Sequence, residues 1–401
     1  MRRFKYKGKE KATGKTVKGV IQAEDEQTAG HLLIEQGYIP ESIVEEGGGL
    51  FGGKGHVTSK DRIMFTRQLA TLIGAGLPLA TSLRTVAEQT QAKAMKVVIE
   101  EILAKVEAGK TLYDTFAGYP DIFNGVYLAL IKAGETSGTL DLALKRLADQ
   151  EEKDAAMLSK IKGALVYPVI ILVVIIAVLA FMMVMVVPEV QKLYKDMGEE
   201  LPGLTQFLVN ISDFFASFWW LVAIILVAIF GGIFYTVKKT SVGRHAMDSF
   251  KIHVPIFGGL FKKLYVSRFA RTTEMLLATG VPMLDSVKIA IAATNNVVIE
   301  EEYSKSLEVI KGGKPLSESL KDRKHMLPLV PQMASIGEES GKIDEMLGKA
   351  AAVYENELDE QINSISTMIE PILMVLMAGL IGVVIGGTLL PIYSLVNSVS
   401  T

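Results

Sequence analysis

With 401 residues the chain has room for two or three domains, and its formal net charge of −2 gives no reason to expect a nucleic-acid partner. It contains no cysteine, which excludes disulfides and thiolate chemistry and fits mainly reduced, cytoplasmic mass. The 49% apolar fraction is near the top of the soluble range, so the informative quantity is where those residues cluster.

From the N-terminus, MRRFKYKGKEKATGK has no apolar core for a cleaved signal peptide and is expected to stay in the cytoplasm. Phe4 to Tyr6 and Val17 to Ile21 flank a Gly14-Lys15 turn and read as a hairpin. Glu24 to Gln36 reads as a helix ended by Gly37, and Tyr38 to Val44 as a further strand, giving a small α/β head over residues 1–46. Arg2 to Lys18 carries eight positive residues against one acid, either a solvated hairpin face or a surface for anionic lipid or an acidic partner. Residues 47–57, containing GGGLFGGKG, read as a flexible linker.

Residues 58–163 show apolar positions at helical spacing, for instance Leu69, Leu72, Ile73, Leu77, Leu79, Leu83 and Val86, and no strand pattern. A small antiparallel helical bundle is expected. In GAGLPLATSL, residues 74–83, Gly76 suits the left-handed end of one helix and Pro78 the first turn of the next, so the stretch reads as a corner. Ser137 is expected to cap a helix starting at Gly138, with Asp141 in its first turn.

Three stretches, Ala164 to Val187, Phe214 to Val237 and Pro371 to Val399, each exceed 20 residues without an Asp, Glu, Lys or Arg. Each is long enough to cross a hydrocarbon core of roughly 30 Å as a helix. Spans are expected at 164–187, 214–237 and 371–396, separated by an external loop, 188–213, and a second cytoplasmic bundle, 238–370. Orientation follows from Lys160 and Lys162 before the first span and Lys238, Lys239 and Arg244 after the second. Those basic sides are inside, and the C-terminal tail lies outside.

The second bundle repeats the first. Phe65, Arg67, Leu72, Gly76, Pro78 and Ser82 recur 204 positions later as Phe269, Arg271, Leu276, Gly280, Pro282 and Ser286. At offset 203, Gly134-Glu135-Thr136-Ser137-Gly138 recurs as Gly337-Glu338-Glu339-Ser340-Gly341, Pro168 as Pro371 and Pro188 as Pro391. Each unit is a bundle followed by a span, and 214–237, which has no counterpart, is the return helix. Ser340 is accordingly expected to cap a helix starting at Gly341.

Sites for chemistry are not evident. Gly47, Gly49 and Gly52 match a dinucleotide fingerprint as a string but lack the strand and βαβ context, and no GxxxxGK[ST] loop occurs. The five histidines lack ligand spacing, so no metal, cofactor or catalytic residue is expected. The spans hold no ionisable group. Glu370 is nearest, and it either caps the Pro371 helix or takes part in coupling. Arg67, Arg271, Glu135 and Glu338 fall at equivalent positions and are candidate partner contacts, against the alternative of salt bridges within the bundles. Gly382 and Gly386 would permit close helix packing.

Lys160-Ile161-x-x-Ala164-Leu165-x-Tyr167-Pro168 with Pro188, the repeated Arg67 to Pro78 and Arg271 to Pro282 stretches, and the doubled GExSG segments are similar to the signatures of the PilC/GspF family. Its members are polytopic inner-membrane platform proteins of type IV pilus and type II secretion machines. The resemblance spans essentially the whole chain. It implies cytoplasmic six-helix bundles, a homo-oligomer commonly proposed as a dimer, and a position beside a hexameric assembly ATPase and inner-membrane alignment proteins. It further implies that ATPase cycles turn or shift the platform and pass pilins or pseudopilins into a fibre, with Tyr167, Pro168, Glu370 and Pro371 at the membrane edge. A bacterial inner-membrane protein without enzymatic activity is expected, serving a pilus or, alternatively, a secretion system. A transporter and a membrane-tethered binding module are the alternatives from other classes.

Overall fold

The computed structural model describes residues 2–10, 16–23, 26–35, 37–45, 56–197, 203–255 and 257–399. It divides into two compact units, one of residues 1–124 with 137–148 and one of residues 125–136 with 149–401. The Gly14-Lys15 turn and residues 47–55 of the glycine-rich segment lie outside the described residues.

In the first unit, strands β1 (Arg2–Glu10), β2 (Thr16–Ala23) and β3 (Tyr38–Glu45) form an antiparallel sheet in the order β2-β1-β3, with helix α1 (Glu26–Glu35) preceding β3. A bulge between Lys7 and Gly8 shifts the β1–β3 register. Helices α2 (Ser59–Gly74), α3 (Leu79–Gln89), α4 (Lys93–Glu107) and α5 (Leu112–Ala117) follow. Helix α2 starts on a reciprocal cap, in which Thr58 Oγ1 accepts from Asp61 N–H and Asp61 accepts from Thr58 N–H. Phe65 of α2 meets Phe116 of α5 edge-on at 6.1 Å, and Phe116 stacks on Phe123 at 4.3 Å. Leu69, Leu83, Val86, Met95, Ile99 and Ile102 are also fully buried in this unit.

Helices α6 (Gly125–Ser137) and α7 (Leu140–Phe181) complete the first copy. The chain then passes through a π-helical segment, Met182–Val186, into α8 (Val187–Met197), and continues in α9 (Gly203–Lys239) and α10 (Ser241–His253). The second copy comprises α11 (Phe257–Ala278), α12 (Met283–Ala293), α13 (Val297–Lys311), α14 (Leu316–Lys321), α15 (Leu329–Ser340) and α16 (Ile343–Val399). Its core centres on Phe269, which meets Tyr303 edge-on at 5.3 Å among Val266, Val287, Ile299, Leu316, Leu320 and Val330. Phe269 is the repeat of Phe65, so both copies bury an aromatic ring at the same position.

The repeated turns share backbone geometry. Gly76 and Gly280 have φ of 85° and 83°, Gly109 and Gly313 87° and 83°, and Gly138 and Gly341 73° and 71°. After α2, Gly76 N–H bonds Ile73 C=O and Leu77 N–H bonds Leu72 C=O. After α11, Gly280 N–H bonds Leu277 C=O and Val281 N–H bonds Leu276 C=O. This pairing satisfies the last helical carbonyls and needs a left-handed residue, which only glycine adopts without strain. Pro78 and Pro282 then stand one place before α3 and α12 rather than inside them.

Ser137 and Ser340 do not cap the helices that follow them. Each ends the preceding helix, and Ser340 Oγ donates back to Ile336 C=O at 2.7 Å. The left-handed glycine next to each serine prevents it from entering a new helix. Helical bonding restarts at Thr139 and Lys342, whose carbonyls accept from Ala143 and Met346.

Among the described residues, two helical runs are long and apolar enough to cross a membrane, Leu140–Asp196 and Ile343–Gly386. Their most apolar windows are 6% and 0% buried. Val169, Val173, Ile176, Ile372 and Val375 are all more than half exposed. A contiguous apolar surface of that extent fits lipid rather than water. Helix α16, with 57 residues, extends roughly 85 Å at 1.5 Å per residue. Pro168 and Pro371 lie inside α7 and α16 and do not open separate helices, so Glu370 has no helix start to cap. Nor is 188–213 a loop, since α8 and the first part of α9 occupy its described residues.

Candidate functional site at the convergence of the long helices

Within the second unit, the part of α7 that precedes its apolar run packs beside α11 and α16. Leu260 and Leu264 of α11 and Leu358, Ile362 and Ile365 of α16 form a buried cluster, against which Met157, Ile161 and Ala164 of α7 and Ile369 of α16 close. The spacing of 358, 362, 365 and 369 places these residues on one face of α16. On α7, 157, 161 and 164 do the same. Both helices that qualify as membrane-crossing therefore pass through one apolar junction with the second bundle.

Ion pairs rim this junction. Lys160 Nζ lies 2.6 Å from Asp359, Lys263 Nζ 2.7 Å from Glu357, and Arg268 3.7 Å from Asp154. Lys160 and Asp359 are substantially exposed, so their pairing contributes under about 1 kcal/mol and acts chiefly on register between α7 and α16. Lys153, Asp154, Lys160, Arg268, Glu355 and Asp359 line an open cleft of about 270 Å³ with near-balanced charge. Deeper in, Arg271 Nε and Nη2 each donate to Glu355 at 2.9 Å, clamping α11 to α16. No group of three or more metal-ligating side chains forms among the described residues.

Of the four residues expected at partner surfaces, Arg271 and Glu338 have partners within the second copy. Arg271 is turned to Glu355 and also lies 3.6 Å from Glu274. Glu338 serves α14 instead: its carboxylate accepts from Leu316 N–H at 2.5 Å, Ser317 N–H at 3.3 Å and Ser317 Oγ at 2.5 Å. An acid at that helix start also meets the positive end of the peptide dipoles. Arg67 and Glu135 are half-buried, and Tyr167 and Glu370 are exposed. Glu355, Glu357 and Asp359 had no distinguishing sequence signal beyond their i, i+2, i+4 spacing. Lys160, by contrast, stands inside the family-like motif.

One titratable group is set apart by its surroundings. His325 is buried, and its Nδ1 has no hydrogen-bond partner among the described residues. Burial first, then the charges of Lys262 and Lys324 and the neighbouring His253, push its imidazole below the ordinary value.

The architecture of two bundle-plus-long-helix copies has a counterpart among known proteins. The family described as "Type II secretion system (T2SS), protein F" matches residues 65–188 and again 269–391, and its N-terminal domain matches residues 1–44. A type IV pilus assembly protein PilC from Thermus thermophilus is 34% identical over 407 aligned residues, covering 99% of each chain. A PilC from Pseudomonas aeruginosa is 36% identical over 92% of this chain and 98% of its own. A type II secretion system protein F from Vibrio cholerae is 32% identical over the full length of both. The two family matches divide the chain where the repeated glycine turns and the long helices divide it. The chain belongs to the type II secretion system protein F family, whose relatives include type IV pilus assembly proteins and type II secretion system proteins.

Proposed function

We propose that this chain is the inner-membrane platform of a type IV pilus assembly machine, coupling a cytoplasmic hexameric ATPase to the insertion of pilins into the filament. The observation that carries the reading is the junction of α7, α11 and α16. Force applied to the second bundle reaches both long helices through the Leu260–Ile365 cluster and the Arg271–Glu355 clamp. A packed junction transmits displacement because its side chains have no free volume to absorb it.

In this reading the head, both bundles and the linker are cytoplasmic, and α9 is the return span over Phe214 to Val237. Residues 188–213 and the C-terminus lie outside, and the chain works as a homo-oligomer, a dimer in its simplest form. The platform is not an enzyme, and ATP hydrolysis by the purified protein alone would sink the proposal. The equivalent role in a type II secretion system is the second reading, favoured by the full-length similarity to the Vibrio cholerae protein F. Deleting the gene in its host and assaying surface filaments and protein secretion in the same cells separates the two. Loss of filaments alone supports the pilus reading, and loss of secretion alone supports the other.

A further inference from the structure

Helix α10 carries an apolar face that the described residues leave exposed. Its inward side is set by Asp248 and Ile252, which are 4% and 2% exposed. Asp248 accepts from Val297 N–H at 3.1 Å and from Lys251 at 2.9 Å, which docks the helix on the start of α13. Val242, Ala246 and Phe250, spaced i, i+4 and i+8, lie on the opposite side. Val242 is 75% exposed and Phe250 65%. An apolar stripe directed away from a satisfied core packs on nothing among the described residues and suits an apolar surface outside them.

Its position says what covers it. Helix α9 ends in Phe234, Tyr235, Lys238 and Lys239, with the ammonium of Lys238 4.5 Å from the Phe234 ring centre and that of Lys239 5.3 Å from the Tyr235 ring centre. Aromatic rings beside lysines mark the level of a membrane–water interface. Only Thr240 separates α9 from α10, and the chain folds back sharply there. A Cβ on Gly243 would stand 2.5 Å from Thr236 C=O, so the first turn of α10 is pressed against the last turns of α9. That contact holds α10 at the depth where the apolar run of α9 ends.

We propose that α10 lies in the headgroup region of the cytoplasmic leaflet, with Val242, Ala246 and Phe250 inserted among the lipids. The occupant is the bilayer itself. Lys238 and Lys239 stand at the corner between α9 and α10 and suit anionic headgroups, while the one acid of α10, Asp248, is turned inward. The helix thereby anchors the second bundle to the membrane surface at a point separate from the α7–α16 junction. The inference rests on the reading of α9 as a membrane span.

The absence of cysteine makes the test direct. Full-length single-cysteine variants Val242→Cys, Ala246→Cys and Phe250→Cys carry a spin label in vesicles of phosphatidylcholine with phosphatidylglycerol. Collision rates with oxygen, which concentrates in lipid, are compared with those of a water-soluble nickel chelate. Ile225→Cys in α9 and Glu301→Cys at an exposed position of α13 supply the lipid and water references. The expected result is an oxygen-to-nickel ratio at 242, 246 and 250 above that at 301 and approaching that at 225. Water-like ratios at the α10 sites with a lipid-like value at 225 overturn the α10 proposal alone. A water-like value at 225 overturns both the span reading and the proposal that rests on it. Low collision with both reagents, with spin–spin broadening between labelled copies, assigns the stripe to a second copy and likewise overturns lipid contact.

Discussion

The guanidinium of Arg271 on α11 and the carboxylate of Glu355 on α16 face each other in a two-pronged contact, both N···O distances being 2.9 Å. The side chains are only 15% and 24% exposed. This pair joins the helix that opens the second copy to the helix that ends it.

Arg271→Ala leaves Glu355 partly buried without its partner, and charge-assisted hydrogen bonds of this kind contribute about 1.5–3 kcal/mol. A lowered unfolding temperature of the full-length protein in detergent is expected. Arg271→Lys keeps the charge but loses the planar fork, so it should recover no more than about half of that loss. A lysine variant as stable as the parent would show that charge alone, without geometry, holds α11 to α16.

Glu338 invites a different expectation from the one its sequence position suggests. Its carboxylate is occupied by the N-terminus of α14, so reversing its charge attacks the fold before it reaches any partner. Glu338→Lys should lower the unfolding temperature and ATPase co-purification together. Glu338→Gln, whose amide oxygen still accepts, should restore part of both. Loss of co-purification at an unchanged unfolding temperature would return Glu338 to the partner surface.

The contrast between Gly76 and Ser340 shows how far the sequence could be read. A glycine that ends a helix in the left-handed region leaves a local signature, and the repeat doubles it, so the helix corners were legible. Ser340 sits beside an equally left-handed Gly341 but on the side already committed to α15, a distinction that residue preferences do not make. Gly337 was quoted only as part of a motif. In the structure a Cβ there would stand 2.6 Å from the Cα of Ile343, so it marks close packing of α15 on the start of α16. Pro168 and Pro371 look like helix starts in sequence because proline favours first turns. Both sit mid-helix where a long apolar helix continues, a place that membrane helices tolerate. The ion pairs of Glu355 and Asp359 were not legible, since pairing across 84 and 199 residues depends on the packing of α11 and α7 on α16.

His325 gives the second bundle a pH dependence with a definite sign. Its folded value is depressed below the ordinary figure of about 6.5 by burial, with Lys262, Lys324 and His253 adding and Glu302 opposing. The unfolded chain therefore takes up the proton first as pH falls. The contribution is complete above about pH 6.5 and is lost as pH drops through the window below it, at no more than about 1.4 kcal/mol per pH unit for one group. His325→Gln should flatten the fall in unfolding temperature measured between about pH 7.5 and 5.5. An unchanged slope would place the titration on other groups.

Pro188 and Ser212 are coupled through a carbonyl that belongs to neither. In the π-helical segment, bonding runs five residues back, as in Val187 N–H to Met182 C=O. One step on, the donor for Met183 C=O would be residue 188, which is proline and has no N–H. Ser212 of α9, itself buried, fills that gap by donating its hydroxyl to Met183 C=O at 2.5 Å. Ser212→Ala should cost about 1 kcal/mol, the usual scale for a hydrogen bond between helices in a membrane protein. Pro188→Ala supplies the missing amide, so in that background the further loss of the serine hydroxyl should cost almost nothing. A thermal or dodecyl-sulfate unfolding cycle over the two single variants and the double variant measures the coupling. Strict additivity would mean that Ser212 stabilises the α8–α9 pairing without reference to the carbonyl that Pro188 leaves open.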